Sequence, residues 1–174
     1  MPFSLSQASI PAFELGLNAL SGVLQKAEAF AAAKKIEPSV LLGMRLAPDM
    51  FPLTRQVQIA TDLAKNGAAR LAGAEAPKFE DNETTIEQLK ARLKKTIDFV
   101  KTLDTKQIDA AGDREITFPL GPTNKGHMKG SDYLNHFVLP NYYFHLTAAY
   151  AILRHAGVEI GKLDFLAGIP LRQS

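Results

Sequence analysis

The chain contains no cysteine, which excludes disulfides, thiolate metal sites and cysteine nucleophiles. It also lacks a charge bias: 20 Lys and Arg stand against 18 Asp and Glu, a net charge of +2. That balance describes an ordinary globular protein rather than a nucleic-acid binder or a disordered chain. There is no nucleophile triad, no phosphate-cradling glycine loop and no dinucleotide fingerprint, since GKLDF near the C-terminus has neither the spacing nor the context of a P-loop. No repeat or low-complexity segment is visible. The opening stretch MPFSLSQASIPAFELGL has no basic region and carries Ser4, Gln7 and Glu14 among its apolar residues. It reads as neither a signal peptide nor a membrane span, so a cytoplasmic protein with no membrane partner is expected.

What is present is 46% apolar and 22% charged residues over 174 positions, enough for a sizeable core and an ordinary length for one domain, 1–174. Helical spacing dominates. Leu5, Ile10, Phe13, Leu17, Leu20, Val23, Leu24, Ala27, Phe30 and Ala31 predict a first helix over about 4–35, with Pro11 near its first turns. The bridge IEPSVLLGMRLAPD is punctuated by Pro38, Gly43 and Pro48, which leaves room for a short turn at most.

A second helix is expected from about Phe51 to Leu71, stopped by Gly73, with Asp49 as its cap and Leu53, Val57, Ala60, Ala64 and Leu71 on one face. Its alanines invite close packing. A third runs from about Thr85 to Leu103 with Ile86, Leu89, Leu93, Ile97 and Val100 as its stripe; Thr84 or Thr85 caps it, Glu87 reaches back, and Asp104 ends it. Lys90, Arg92, Lys94, Lys95 and Lys101 on this helix read as a solvated face. REITFPLGPTNKGHMKG alternates and carries two turn signals, Gly121-Pro122 and Asn124-Lys125-Gly126, which predict a small β-hairpin.

The fourth helix, Ser131 to His155, is capped by Ser131 and stopped by Gly157, and the tail with Leu163, Phe165, Leu166 and Ile169 should pack back. The fold class is therefore all-α, a four-helix up-and-down bundle with a hairpin insertion before the last helix.

The chemistry concentrates in that last helix. At about 100° per residue, Leu134, Val138, Asn141, Tyr142, His145, Ala149 and Ile152 share a face with His145 near its centre. A buried imidazole or amide without a partner costs roughly 1–3 kcal/mol, so these groups are hydrogen-bonded, metal-bound or on a cavity wall. Pro140 removes a backbone donor and clashes with the His136 carbonyl, which predicts a kink or break. His136 and His145 are about 180° apart around an ideal helix and are not expected to share an ion unless the kink turns them together.

From the second helix, Gln56 is at the edge of the core stripe, while Gln58 and Asp62 fall toward the other side. Amides are poor ligands for zinc and nickel, so one histidine with amides is a weak metal site. His127 in the hairpin and His155 in the last helical turn read as structural or solvent-facing. The apolar second and third faces of helix four, with Tyr143, Tyr150 and Leu139 on one and Phe137, Phe144 and Ala151 on the other, require covering, and a homodimer is expected.

RLAPDMFPLTRQVQIATDLAKNGAARLAG and LPNYYFHLTAAYAILRHAGVEIGKLDF resemble an uncharacterised bacterial family, a domain of unknown function, of the DinB/YfiT-like superfamily of metalloenzyme-type proteins. The likeness covers nearly the whole chain. It implies a four-helix bundle, usually dimeric, in which superfamily members often hold a divalent metal through one histidine of helix two and two of helix four; some are thiol-dependent transferases or isomerases. Carried over by position, His145 looks like the second histidine of helix four, Asn141 stands where the first would be, and Gln56 about where the helix-two histidine would be. Two of the three implied ligands are thus amides.

Three readings follow. In the first, the degenerate metal site is a pocket between helices two and four that binds a small molecule through Gln56, Asn141, Tyr142 and His145, with Asp49 at its mouth. In the second, His145 and a carboxylate such as Asp49 or Asp62 hold zinc or nickel in a hydrolase or thiol transferase. In the third, a non-catalytic dimeric structural or stress protein uses the polar cluster only to set helix register. The first is the reading the residues favour.

Overall fold

The computed structural model describes residues 4–169. The protein is mostly helical, with one small antiparallel sheet. α1 spans Leu5–Lys34, α2 Pro38–Gly43, α3 Leu53–Ala72, α4 Ile86–Lys101 and α5 Thr105–Asp109. The strands β1, Glu115–Leu120, and β2, Asn124–Lys129, then pair. The last long helix is composite: a short α6, Gly130–Asp132, runs into a π-helical stretch, Tyr133–Val138, and on into α7, Leu139–His155. A short α8, Lys162–Phe165, follows.

The expected stripes are the buried ones. Leu53, Val57, Ala60, Ala64 and Leu71 of α3 are wholly buried, and Ile86, Leu89, Leu93, Ile97 and Val100 of α4 join them in one hydrophobic cluster with Phe13, Leu17 and Leu24 of α1. α3 packs on α7 and α4, while α1 packs on α4 and α7. Deleting a leucine from such a core typically costs about 2–5 kcal/mol, so these faces set the mutual rotation of the helices.

The helix ends correct several expectations. Pro38 does not break the bridge but starts a six-residue helix from its N1 position, where a missing N–H costs nothing. α3 begins at Leu53 with Pro52 as its N-cap; Asp49 lies exposed in the preceding turn and does not cap it. For α4 the reciprocal partner of Thr85 is Gln88, whose Oε1 accepts from the backbone N–H of Thr85 at 3.2 Å, rather than Glu87. Asp104 does not end α4 but caps α5, accepting from Lys106 N at 2.9 Å. Ser131 does not cap the last helix either: that helix starts at Gly130, and the Ser131 hydroxyl donates to the Gly112 carbonyl at 3.2 Å. Gly157 stops α7 as expected, at a φ of +92° that suits glycine.

Pro140 does not break the helix. The preceding turn widens instead: the Leu139 N–H bonds to the Leu134 carbonyl five residues back, which moves the i−4 carbonyl away from the proline ring. The hairpin folds back on this wide turn, where Phe118 packs against Tyr133 and Phe137 at centroid distances of 4.8 and 4.4 Å. In the tail, Phe165 meets Tyr150 and Asp164 pairs with Lys26, while Leu163 stays 80% exposed.

The solvated-face reading of α4 holds for Lys94, Lys95 and Lys101, which are exposed, but not for Arg92. It is 3% exposed and holds Asp62 of α3 at 2.9 Å together with Asp81 at 2.7 Å and Glu83 at 2.9 Å, while Nε donates to the Thr61 hydroxyl at 2.7 Å. A fork of five donors satisfied on several sides is what makes burial of a guanidinium tolerable. It fastens the irregular segment between α3 and α4 to the body of the protein.

Candidate functional site

Of the residues singled out by the sequence, the fold brings two together. Gln56, in the first turn of α3, and His145, in the middle of α7, are 89 positions apart and meet at 2.7 Å through Oε1 and Nδ1. Gln56 is 1% and His145 9% exposed. Both reach this position because the small-residue face of α3 lies against α7.

The bond has a direction. The Gln56 amide nitrogen donates to the Phe51 carbonyl at 3.1 Å, and a carbonyl can only accept. Oε1 must then face His145, so Nδ1 carries the proton and Nε2 carries the lone pair. Every fully buried side-chain nitrogen or oxygen of the described residues has a partner. Nε2 makes no hydrogen bond among them, so it opens to the surface. Burial, with the Arg55 charge adding to it, lowers the imidazole pKa to about 4, and the ring is neutral at pH 7. The exposed ring of Phe144 stands edge-on to it at 5.2 Å.

The other candidates are committed elsewhere. Asn141 is half-buried, and its amide donates to the Phe137 carbonyl at 2.7 Å, four residues back. Tyr142 is wholly buried in the core, donating to the Phe13 carbonyl at 2.8 Å and packed edge-on to the Phe13 ring. Asp49 is exposed in the turn before α3. Gln58 and Asp62 do fall on the other side of α3, where Gln58 bonds Glu83 and Asp62 meets Arg92. His136 is exposed on the wide turn, 3.9 Å from Asp132, and His127 lies exposed in the hairpin beside Thr117.

This donor set does not fit the divalent metal that the resemblance implies. Gln56 turns its oxygen onto Nδ1 and its nitrogen onto a carbonyl, and Asn141 is turned onto its own helix. Among the described residues no three His, Cys, Asp or Glu side chains gather in a way that would hold an ion. What the arrangement does supply is one oriented, neutral imidazole with a free lone pair. The sequence signal for its orientation was absent, because Phe51 contributes through its backbone. Five clefts of about 300 to 570 Å³ lie elsewhere on the molecule, lined by neither Gln56 nor His145. No described helix is long and apolar enough to cross a membrane.

The chain is similar to a DinB family member protein from Shewanella denitrificans, known from a crystal structure, at 40% identity and a TM-score of 0.90, over 98% of this chain and 96% of that one. No curated protein matches it. Residues 5–166 match the family model described as Domain of unknown function (DUF1993), and with its fold shared with a DinB family member, the chain belongs to this uncharacterised, DinB-like family.

Proposed function

We propose that the protein binds a small molecule at the corner where the start of α3 meets α7, with His145 Nε2 accepting a hydrogen bond from it. The observation that carries this reading is the 2.7 Å bond from Nδ1 to Gln56, backed by the Phe51 carbonyl, which presents the Nε2 lone pair in one orientation. An imidazole held by a second residue is pre-organised for recognition. Its pKa of about 4 is far below the value near 7 that suits a general base, which favours binding over proton abstraction. The exposed Phe144 ring beside it offers an apolar contact, so the ligand carries a donor next to an apolar group. Asn141, Tyr142 and Asp49 are not needed for this contact.

The packing of α1, α3, α4 and the composite last helix supports reading the whole chain as one up-and-down four-helix bundle. Tyr143 and Phe144, 43% and 58% exposed on neighbouring faces of α7, support a homodimer that covers this part of the helix.

The test is a ligand-observed NMR screen of small polar aromatics against the full chain and His145→Phe. Hits that disappear in the variant support the reading; a screen without hits favours a structural role for the pair. Near one zinc or nickel per chain after incubation and desalting, lost in His145→Ala, would overturn it in favour of the metal-assisted hydrolase or thiol transferase.

A further inference from the structure

A larger recess lies farther along α3, with Asn66 ten residues beyond Gln56, about 15 Å of helical rise. α3 and the irregular segment that follows it enclose a cleft of about 570 Å³. Lys65, Asn66 and Arg70 form its floor; Pro77, Lys78 and Phe79 form its outer wall.

The wall is tied down from beneath. Lys65, 4% exposed, donates to the Pro77 carbonyl at 2.8 Å, pairs with Asp62 at 3.2 Å and lies 4.0 Å from the centre of the Phe79 ring. The Arg92 guanidinium lies 4.8 Å from the same ring and holds Asp81 and Glu83 just downstream. Arg55 adds a second cation to Asp81 at 2.6 Å. A wall held by two buried cations is present before any ligand arrives, so a ligand does not have to supply the ordering energy.

The cleft's donors are not all used. Lys65 is matched by Asp62, but among the described residues neither Arg70 nor Lys78 has a carboxylate within ion-pair distance. Arg70 gives Nη1 to the Tyr133 hydroxyl at 3.0 Å, which leaves most of its fork for another acceptor. Asn66 stands four residues before Arg70, on the same side of α3. Glu80 at the rim is the cleft's one other charge, so the cleft carries a small positive excess. The apolar part of the lining comes from Ala74, Ala76, Pro77 and Phe79, with Ala69 buried behind it.

We propose that this cleft binds a small organic carboxylate with a flat apolar body, distinct from the molecule at His145. Arg70 grips the carboxylate through two parallel hydrogen bonds, Asn66 and Lys78 flank it, and the flat body rests against Phe79 and the alanines.

The test is an amide-shift NMR titration of the full chain with benzoate as the probe and benzamide as its neutral counterpart. Saturable shifts confined to residues 62–80 are expected with benzoate, and binding roughly tenfold weaker with benzamide, about 1.4 kcal/mol. Lys78→Gln, on an exposed position, should weaken benzoate several-fold without changing the melting temperature, and Arg70→Gln should weaken it more. His145→Gln should leave it unchanged, so failure here and failure at His145 are read separately. No saturation by about 20 mM benzoate, equal binding of benzamide, or unchanged affinity in both Arg70→Gln and Lys78→Gln would overturn the proposal.

Discussion

Gly67 of α3 faces Val138 at the end of the wide turn so closely that a Cβ on Gly67 would stand 2.7 Å from Val138 Cγ1. Real Cβ atoms do not approach a neighbour to that distance. Valine is stiff about χ1, so it cannot simply swing away. Gly67→Ala should therefore lose stability, although alanine is the better helix former by about 1 kcal/mol. The expected net loss is about 1–3 kcal/mol by urea denaturation, with part of it recovered in Gly67→Ala combined with Val138→Ala. A stabilised single variant would mean that the wide turn yields.

Removing the orienting amide tests the His145 pair. Gln56→Leu leaves the Phe51 carbonyl and the Nδ1–H without partners, so it should cost about 1–3 kcal/mol. Imidazole ¹⁵N shifts should report the Nδ1-protonated tautomer in the natural chain and a mixture in the variant. The same mixture in both would refute the assigned tautomer.

Acid should act in two stages. The His145 pKa is about 4 in the folded chain against an unfolded value of about 6.5, so between these values the unfolded chain binds more protons. Stability is complete above about pH 6.5 and falls as pH drops toward 4, by at most about 1.4 kcal/mol per pH unit. The carboxyls of Asp81 and Glu83 lie below their usual range because hydrogen bonds and charge from Arg92, Arg55 and Gln58 outweigh the opposing effect of burial. Their contribution is present above the unfolded carboxyl values near 4 and is lost as pH falls through the folded ones. Urea titrations from pH 8 to pH 3 should show both stages, and His145→Gln should flatten only the first.

Arg92→Ala leaves Asp62, Asp81 and Glu83 without the cation they share. Breaking a buried pair costs about 3–5 kcal/mol, and the lower end is expected because Asp62 and Asp81 keep 29% and 35% of their side chains in solvent. Protease should then cut between 74 and 84 faster than in the natural chain. Unchanged cutting would show that Lys65 and Phe79 alone hold the segment.

How much was legible differs from residue to residue. The stripes of α3 and α4, the hairpin and the Gly157 stop could be read because each depends on neighbours three or four positions away, or on a single φ. The caps were less legible: Asp49, Asp104 and Ser131 all have the right side chain, but which backbone N–H each one meets depends on where the helix begins. Asn141 shares its helical face with His145, yet it bonds its own helix through the Phe137 carbonyl.

The sequence by itself determined the apolar faces, the turns and the presence of a histidine and an amide at the α3–α7 contact, because periodicity is a local property of the chain. Only the tertiary structure decided that Gln56 orients His145 across 89 positions and that Arg92 is buried beneath Asp81 and Glu83. Those outcomes rest on the rotation and spacing of packed helices and on matched charge between distant segments, and no window of neighbouring residues encodes either.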